Sequence, residues 1–93
     1  MKIYGIKREV YKNNGRMPYE TIIDKDAYRT IEEATKAMLH EADQVCLFYH
    51  YEPVLEQYQA CFHTAIERQH DSKTGKDTIY RHEWHIIELN VEY

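Results

Sequence analysis

Residues 30–45, TIEEATKAMLHEADQV, decide the fold because they predict one long amphipathic helix. Thr30 stands three residues before Glu33, and at this spacing each side chain can satisfy the free backbone N–H of the other where a helix begins. Apolar residues then recur at spacings of three and four: Ile31, Ala34, Met38, Ala42 and Val45. Polar residues take the opposite side: Glu32, Glu33, Lys36, His40 and Glu41. We therefore expect one stripe of this helix to pack on a sheet.

Two strands are predicted before the helix. Residues 2–12 alternate, with Tyr4, Ile6 and Val10 on one side, as a half-buried strand does. Asn13, Asn14 and Gly15 supply a tight hairpin turn, so residues 17–24 should fold back antiparallel. The second strand would place a common face toward one side of the sheet: Met17, Tyr19, Thr21 and Ile23. Pro18 makes it an edge strand, and an exposed edge could also pair two copies of the chain into a homodimer.

The sequence after the helix predicts a second hairpin. Within residues 54–69 two periods compete, and the alternation of Ala60, Phe62, Thr64 and Ile66 favours a strand over a helix. Residues 71–76 carry Asp and Gly and therefore provide turn chemistry before another extended run. The fold class that follows is α+β: a single small domain over residues 1–93, with an antiparallel sheet of about four strands in ββαββ order, packed by one main helix.

The last strand changes face part-way along residues 78–93. Tyr80, Trp84 and Ile86 share one parity, whereas the later apolar positions have the other: Ile87, Leu89, Val91 and Tyr93. A period of two cannot bury both sets on one side. Either a bulge near Ile86 restores the register and places Trp84 in the core, or Tyr80, His82 and Trp84 form an exposed stripe that binds a partner.

The charged residues are distributed unevenly along the chain, and their distribution distinguishes between a protein and a nucleic acid as the partner. No Lys or Arg occurs from residue 37 to residue 67, and the carboxylates in that stretch have no basic neighbour in sequence: Glu41, Asp43, Glu52, Glu56 and Glu67. The whole chain has a net charge of −4. The resulting negative field repels phosphate backbones and attracts basic surfaces. The sequence therefore favours a protein with a basic surface over nucleic acid as the partner.

No motif in the sequence predicts catalysis or a cofactor. Gly5, Gly15 and Gly75 are isolated, so there is no glycine-rich phosphate loop. His82, Glu83 and His85 cluster near the end of the chain, but alternation on a strand points His82 away from the other two. We therefore expect a non-catalytic protein without a cofactor.

One set of residues has the side-chain types of a zinc site. Cys46 and His50 are four apart, and Cys61 and His63 are two apart. These spacings differ from those of recognised zinc knuckles, so two free thiols in a reducing compartment are the simpler interpretation. Whether the four residues bind a metal stays open at this point.

The sequence also indicates a compartment. The first residues lack the apolar run of a secretory signal, because Lys2, Lys7 and Arg8 interrupt it. No apolar run approaches the length of about 18 residues that a membrane helix requires. We expect a cytoplasmic protein that does not span a membrane.

The predicted function is protein binding through acids and aromatic anchors. Nine tyrosines are present, and interfaces favour this side chain. The predicted binding residues are Glu41, Asp43, Tyr49, Tyr51, Glu52, Glu56, Tyr80, His82 and Trp84. Such a protein could inhibit or regulate a basic, nucleic-acid-handling protein. In its small size and acidic charge the chain resembles accessory proteins of bacterial phages and mobile elements, including those that block host defence nucleases. This resemblance assigns no residue a role.

Two alternatives remain open from the sequence. A sheet face could bind single-stranded nucleic acid, using aromatic and basic side chains together: Tyr4, Tyr11, Tyr80, Trp84, Lys7, Arg8, Lys12 and Arg81. The second alternative is a small zinc-binding or hydrolytic protein that uses the cysteines and histidines named above.

Overall fold

A computed structural model of the chain describes residues 1–13, 15–54 and 63–90. It contains strands β1 (Lys2–Lys12) and β2 (Glu20–Ile23), helix α1 (Ile31–Tyr49), and strands β3 (Glu52–Pro53), β4 (His63–Asp71) and β5 (Lys76–Asn90). Several residues used in the sequence predictions lie outside the described part: Asn14, Glu56, Ala60, Cys61, Phe62, Val91 and Tyr93.

The α+β class and the antiparallel sheet are confirmed, and the strand count is five rather than four. The strands lie in the order β2-β1-β5-β4-β3, and every neighbouring pair is antiparallel. The element order is therefore ββαβββ instead of ββαββ. The additional strand, β3, is a two-residue edge that pairs Glu52 with Ile66 and Pro53 with Ala65. The sequence did not predict β3 because it contains Pro53. Proline lacks a backbone N–H and is therefore tolerated only in an edge strand such as this one.

The predicted helix is confirmed together with its first turn. The Oγ1 of Thr30 accepts a hydrogen bond of 3.1 Å from the backbone N–H of Glu33. Ala34, Met38 and Ala42 form the buried stripe, whereas Ile31 is 41% exposed. The helix ends after Tyr49 because His50 adopts the left-handed conformation, with φ of 59°, and its N–H bonds to the carbonyl of Cys46.

Both interpretations of the last strand are wrong in part. β5 pairs with β1 in one unbroken register, from Lys2 opposite Asn90 to Lys12 opposite Tyr80, so there is no bulge near Ile86. Trp84 is nevertheless fully buried, and His82 is only 5% exposed, so the predicted stripe is not a surface stripe. The apolar residues can change parity because residues of both parities in β5 are partly buried, so each face of the strand is partly covered.

The core lies between α1 and the centre of the sheet. It is formed by Ile6, Met38, Ala42, Ala65 and Trp84. Burial of such side chains contributes about 25 cal/mol for each Å² of apolar surface, and further half-buried side chains pack against this cluster. Trp84 is its largest member, and Ile6, Ala65 and Trp84 bring β1, β4 and β5 together under the helix.

Strand β2 begins later than the sequence predicted and presents a different face. It starts at Glu20, beyond Pro18, and pairs Ile22 with Arg8 of β1. Ile22 is therefore the half-buried residue, while Met17, Tyr19 and Ile23 are 80%, 64% and 59% exposed. The backbone N–H of Tyr19 donates a hydrogen bond of 2.6 Å to the carbonyl of Val10 on β1, and its ring lies 5.9 Å from that of Tyr80 on β5.

The predicted second hairpin is confirmed for the part of the chain from His63 onward. β4 and β5 pair from His63 opposite Trp84 to Asp71 opposite Lys76, and Gly75 accepts the φ of 71° that the turn requires. The tip of this hairpin extends beyond the end of β1, and the molecule is elongated, with extents of 55 × 25 × 23 Å.

No helix in the described ranges is both long and apolar enough to cross a membrane.

Candidate binding cleft

Four tyrosine rings line a cleft at the end of helix α1. Tyr49 and Tyr51 come from the helix end and the residues after it, Tyr19 precedes β2, and Tyr80 lies on β5. We name this feature the tyrosine cleft, and its volume is about 430 Å³. That volume falls within the range of about 300–1,000 Å³ that is usual for ligand sites. Its polar wall is formed by Arg8, Glu20, Glu67, Gln69 and His82.

A column of four rings connects the cleft to the core. Tyr49 stacks on Tyr51 with 5.6 Å between ring centroids, Tyr51 stacks on His82 at 4.8 Å, and His82 stacks on Trp84 at 6.1 Å. Tyr49 is 59% exposed and Trp84 is fully buried, so the column runs from solvent to the centre of the protein. Such stacking fixes the orientation of each ring through its neighbours.

Glu67 holds the middle of the ring column in place. Its Oε1 accepts a hydrogen bond of 2.8 Å from Nε2 of His82, and its Oε2 accepts one of 2.6 Å from Gln69. Although burial alone would raise the pKa of Glu67, these bonds and one from the Tyr51 hydroxyl lower it below its usual value. Burial and the neighbouring Glu67 raise the pKa of Tyr51 to about 12. Glu67 is therefore a carboxylate and Tyr51 a neutral phenol at neutral pH.

His82 is held in one neutral form. Burial lowers its pKa, with Glu67 opposing that effect and Arg8 adding to it. Because the Glu67 carboxylate can only accept, Nε2 must carry the proton, which leaves Nδ1 as a bare acceptor. Nδ1 is shielded from solvent and has no hydrogen-bond partner within the described residues. In this state Nε2 donates to Glu67, and Nδ1 is shielded from solvent.

Arg8 lies at the inner end of the cleft, against the core. Its guanidinium is 5.6 Å from the centroid of the Trp84 ring. Trp84 in turn donates a hydrogen bond of 3.1 Å from Nε1 to Oε2 of Glu41. Burial and the adjacent Asp24 raise the pKa of Glu41, whereas the Trp84 hydrogen bond and the charge of Arg8 oppose that rise. Glu41 therefore anchors the helix to the sheet, and the prediction that it faces outward as a surface acid is wrong.

An apolar rim borders the cleft at the C-terminal end of α1. Leu47, Phe48 and Tyr49 are 74%, 77% and 59% exposed. The Phe48 ring meets the Tyr49 ring edge-on at 4.9 Å. Phe48 and Tyr49 therefore form one exposed aromatic pair, and Leu47 is a further exposed apolar residue in the same turn of the helix. We name these three residues the apolar rim.

The structure brings four of the nine predicted binding residues together. Tyr49, Tyr51, Tyr80 and His82 line the tyrosine cleft. Trp84 and Glu41 lie beneath it, as described above. Asp43 and Glu52 are exposed but do not line the cleft, and Glu56 lies outside the described residues.

Sequence reasoning did not place eight further residues at the cleft: Arg8, Val10, Tyr19, Glu20, Ile22, Val45, Glu67 and Gln69. The predicted antiparallel pairing of β2 with β1 could have placed Tyr19 and Glu20. Glu20 lies opposite Val10 of β1, and Val10 lies opposite His82 of β5, so Glu20 and its neighbour Tyr19 lie two strands from His82. The contact of Glu67 with His82 follows from a cross-strand register that the sequence does not determine.

The four candidate zinc ligands do not form a site within the described part. Cys46 is a free thiol, and burial followed by the charge of Asp43 raises its pKa. His50 serves as the helix C-cap, and Cys61 lies outside the described residues. Among residues 1–13, 15–54 and 63–90, no three His, Cys, Asp or Glu side chains are grouped so that they could hold a metal ion.

The opposite face of the sheet carries a separate charged cluster. His85 Nε2 lies 3.3 Å from Oε1 of Glu9, Lys7 Nζ lies 3.4 Å from the same oxygen, and Arg81 Nε lies 2.6 Å from Oε2 of Glu83. These side chains are half-buried or buried. The predicted nucleic-acid face is therefore divided, because Lys7 and Arg81 lie on this side while Arg8, Tyr80 and Trp84 face the helix side.

No protein-family model, curated protein or solved structure matches the chain. The tyrosine cleft is therefore the feature from which we infer a function.

Proposed function

We propose that the protein is a non-catalytic binding module that recognises another protein through the tyrosine cleft and the apolar rim. The observation that carries this proposal is the position of four tyrosine rings around one cleft, one of which, Tyr49, contacts the exposed Phe48 ring. Tyrosines supply large, rigid contact surface at a low cost in side-chain entropy, and they are enriched among the residues that dominate binding energy.

Acidic side chains favour a partner with a basic surface. Glu20 and Glu67 lie in the cleft, Asp43 and Glu52 are exposed, and the net charge is −4. Carboxylates at the edge of an interface increase the rate of encounter with a basic protein and reduce binding to acidic ones. A nucleic-acid-handling enzyme is one such basic partner, and covering its phosphate site would make this protein an inhibitor.

Two further parts of the proposal concern compartment and assembly. The free thiol of Cys46 is compatible with the reducing cytoplasm. Strand β2 is the outermost strand on its side of the sheet, and Ile23 on it is 59% exposed. Edge pairing of β2 between two copies would cover this strand in a homodimer.

A displayed library of random peptides tests the proposed function without knowledge of the natural partner. Peptides would be selected on the wild-type protein alone, and the affinity of each selected peptide would then be measured for wild type and for a Tyr19→Ala/Tyr49→Ala variant. Both tyrosines are exposed, so the variant should fold. The matched control is Leu39→Ala/Leu89→Ala, which truncates two exposed apolar residues away from the cleft.

We expect selected peptides to lose about tenfold or more in affinity for the tyrosine variant, because anchor truncation typically costs more than about 1 kcal/mol. Affinity for the control variant should change less than about twofold. Failure to enrich any peptide, or equal binding to wild type and tyrosine variant, would contradict the proposal.

A further inference from the structure

We propose that the tyrosine cleft accepts an arginine side chain of the partner protein, with its guanidinium among the tyrosine rings and paired with Glu20. This inference rests on the proposed function and names the chemistry that the cleft selects.

The aromatic walls suit a planar cation. Tyr19 and Tyr80 are in tilted contact at 5.9 Å, and Tyr49 and Tyr51 form the outer part of the ring column. Tyr19 already holds one cation, because Lys12 Nζ lies 5.7 Å from its ring centroid. Cations over tyrosine faces gain about 0.5–1 kcal/mol when exposed and more when shielded from water.

The charges in the cleft leave one carboxylate available. Glu67 is ionised, but His82, Gln69 and Tyr51 already donate to its oxygens. Glu20 also lines the cleft. Its negative charge acts to raise the pKa of His82, although the larger effect of burial lowers that pKa. Glu20 forms no salt bridge with any residue in the described ranges. An incoming cation would therefore meet an unpaired carboxylate.

The basic residue of the lining does not fill this position. Arg8 lies against the Trp84 ring at the inner end of the cleft, beside Glu41. The lining thus has two carboxylates and one guanidinium, a net charge of −1 with His82 neutral. Lys12 over the Tyr19 ring is a further cation nearby, so the negative charge that favours an incoming cation is local to the carboxylates of Glu20 and Glu67.

Arginine fits this site better than lysine for two reasons. Its planar guanidinium stacks on aromatic rings, whereas an ammonium group is a compact and strongly hydrated charge. Its five N–H donors can serve a carboxylate and other acceptors at the same time, and paired N–H bonds to a carboxylate add specificity. Lysine, a neutral side chain and an acidic side chain are the alternatives that the experiment must separate.

Four capped tripeptides that differ only in the central residue provide the test: Gly-Arg-Gly, Gly-citrulline-Gly, Gly-Lys-Gly and Gly-Glu-Gly. Citrulline has nearly the shape of arginine without its charge. Binding would be followed through the NMR signals of the tyrosine rings in the full-length protein. Variants would be Glu20→Gln at the cleft and Glu32→Gln, an exposed carboxylate in the first turn of α1, as the control.

We expect the arginine peptide to bind about fivefold or more tightly than the citrulline peptide, and more tightly than the lysine peptide. Glu20→Gln should remove most of the preference for arginine over citrulline, whereas Glu32→Gln should leave it unchanged. Equal binding of arginine and citrulline, a tighter lysine or glutamate peptide, or an unchanged preference in Glu20→Gln would overturn the inference.

The two proposals fail in different ways. If the library yields peptides that require Tyr19 and Tyr49 but contain no arginine, the cleft binds protein and the arginine inference alone is wrong. If no selected peptide depends on those tyrosines and no tripeptide shifts their ring signals, both proposals are wrong.

Discussion

His82 shows how one residue links the cleft to the stability of the fold. Its ring is packed between Tyr51 and Trp84 and is 5% exposed. A histidine in such a place folds in its neutral form, because burial penalises the charged imidazolium. The Glu67 carboxylate opposes this effect only in part.

Acidification should therefore weaken the fold through His82. The pKa of His82 is lowered below its ordinary 6.5, so the unfolded chain binds more protons than the folded one in that range. The contribution of neutral His82 to stability is complete above about pH 6.5 and is lost as the pH falls toward its lowered folded value. We expect the free energy of unfolding of the wild type, measured by urea titration, to decrease between about pH 7.5 and about pH 5.5.

A His82→Gln variant isolates this effect. Glutamine cannot be protonated in this range and can still donate to Glu67, so the variant should show a smaller decrease over the same pH interval, whatever its absolute stability. His70→Gln is the control, because the His70 side chain is 63% exposed in the hairpin. Equal pH dependence in wild type and His82→Gln would show that His82 does not carry the effect.

Glu41 illustrates why site residues are harder to predict than helix faces. The period of the helix correctly separated Ala34, Met38 and Ala42 from the charged side. Glu41 lies at the boundary between the two faces, and its long side chain reaches Trp84 beneath the helix. Sequence periodicity gives the direction of Cα–Cβ bonds, but whether a boundary carboxylate meets solvent or a buried donor depends on the neighbouring strand.

At the scale of elements, the sequence predicted those parts that depend on local signals. The cap at Thr30, the alternation of β1 and the turn after Asp71 each depend on a few adjacent residues. The parity change in β5 was misinterpreted, because the sequence does not show that this strand lies at the centre of the sheet with both faces partly covered. The extra strand β3 was missed because two residues give no periodic signal.

The outer part of the β4–β5 hairpin should be dispensable for stability. Residues 76–78 of β5 pair only with β4, whereas Ile79 exchanges hydrogen bonds with Asn13 at the end of β1. Replacing residues 70–77 by an Asn-Gly turn joins Gln69 to Thr78, which already lie opposite each other. We expect the free energy of unfolding to change by less than about 1 kcal/mol, because an isolated two-stranded ribbon is only marginally stable.

A longer deletion provides the comparison for the hairpin prediction. Removing residues 68–79 also removes Ile79 and its bonds to Asn13, and this variant should be clearly less stable than the shorter deletion. If the short deletion alone lowers the free energy of unfolding by more than about 2 kcal/mol, the prediction is wrong and the hairpin tip makes stabilising contacts despite its exposure.

At the scale of the whole molecule, the single helix makes the two faces of the sheet unlike. On the helix side, the core extends into the tyrosine cleft. On the other side, the central positions hold the charged cluster of Lys7, Glu9, Arg81, Glu83 and His85. The cations of this cluster lie next to carboxylates, so they offer little net charge to a phosphate backbone.

This distribution predicts weak binding to single-stranded nucleic acid. Stacking platforms for bases work with a basic groove along the strand, and here Lys7 and Arg81 are paired with Glu9 and Glu83 while the tyrosine cleft has a net charge of −1. We expect the fluorescence anisotropy of a labelled oligothymidine of about 20 nucleotides to remain flat up to about 100 µM protein at physiological salt. A Glu9→Gln/Glu83→Gln variant, which frees those cations, should bind more tightly than wild type and should weaken again as salt is added. Saturable wild-type binding at micromolar protein that Tyr19→Ala/Tyr49→Ala abolishes would instead make the cleft a nucleic-acid site, and the protein-partner proposal would then be wrong.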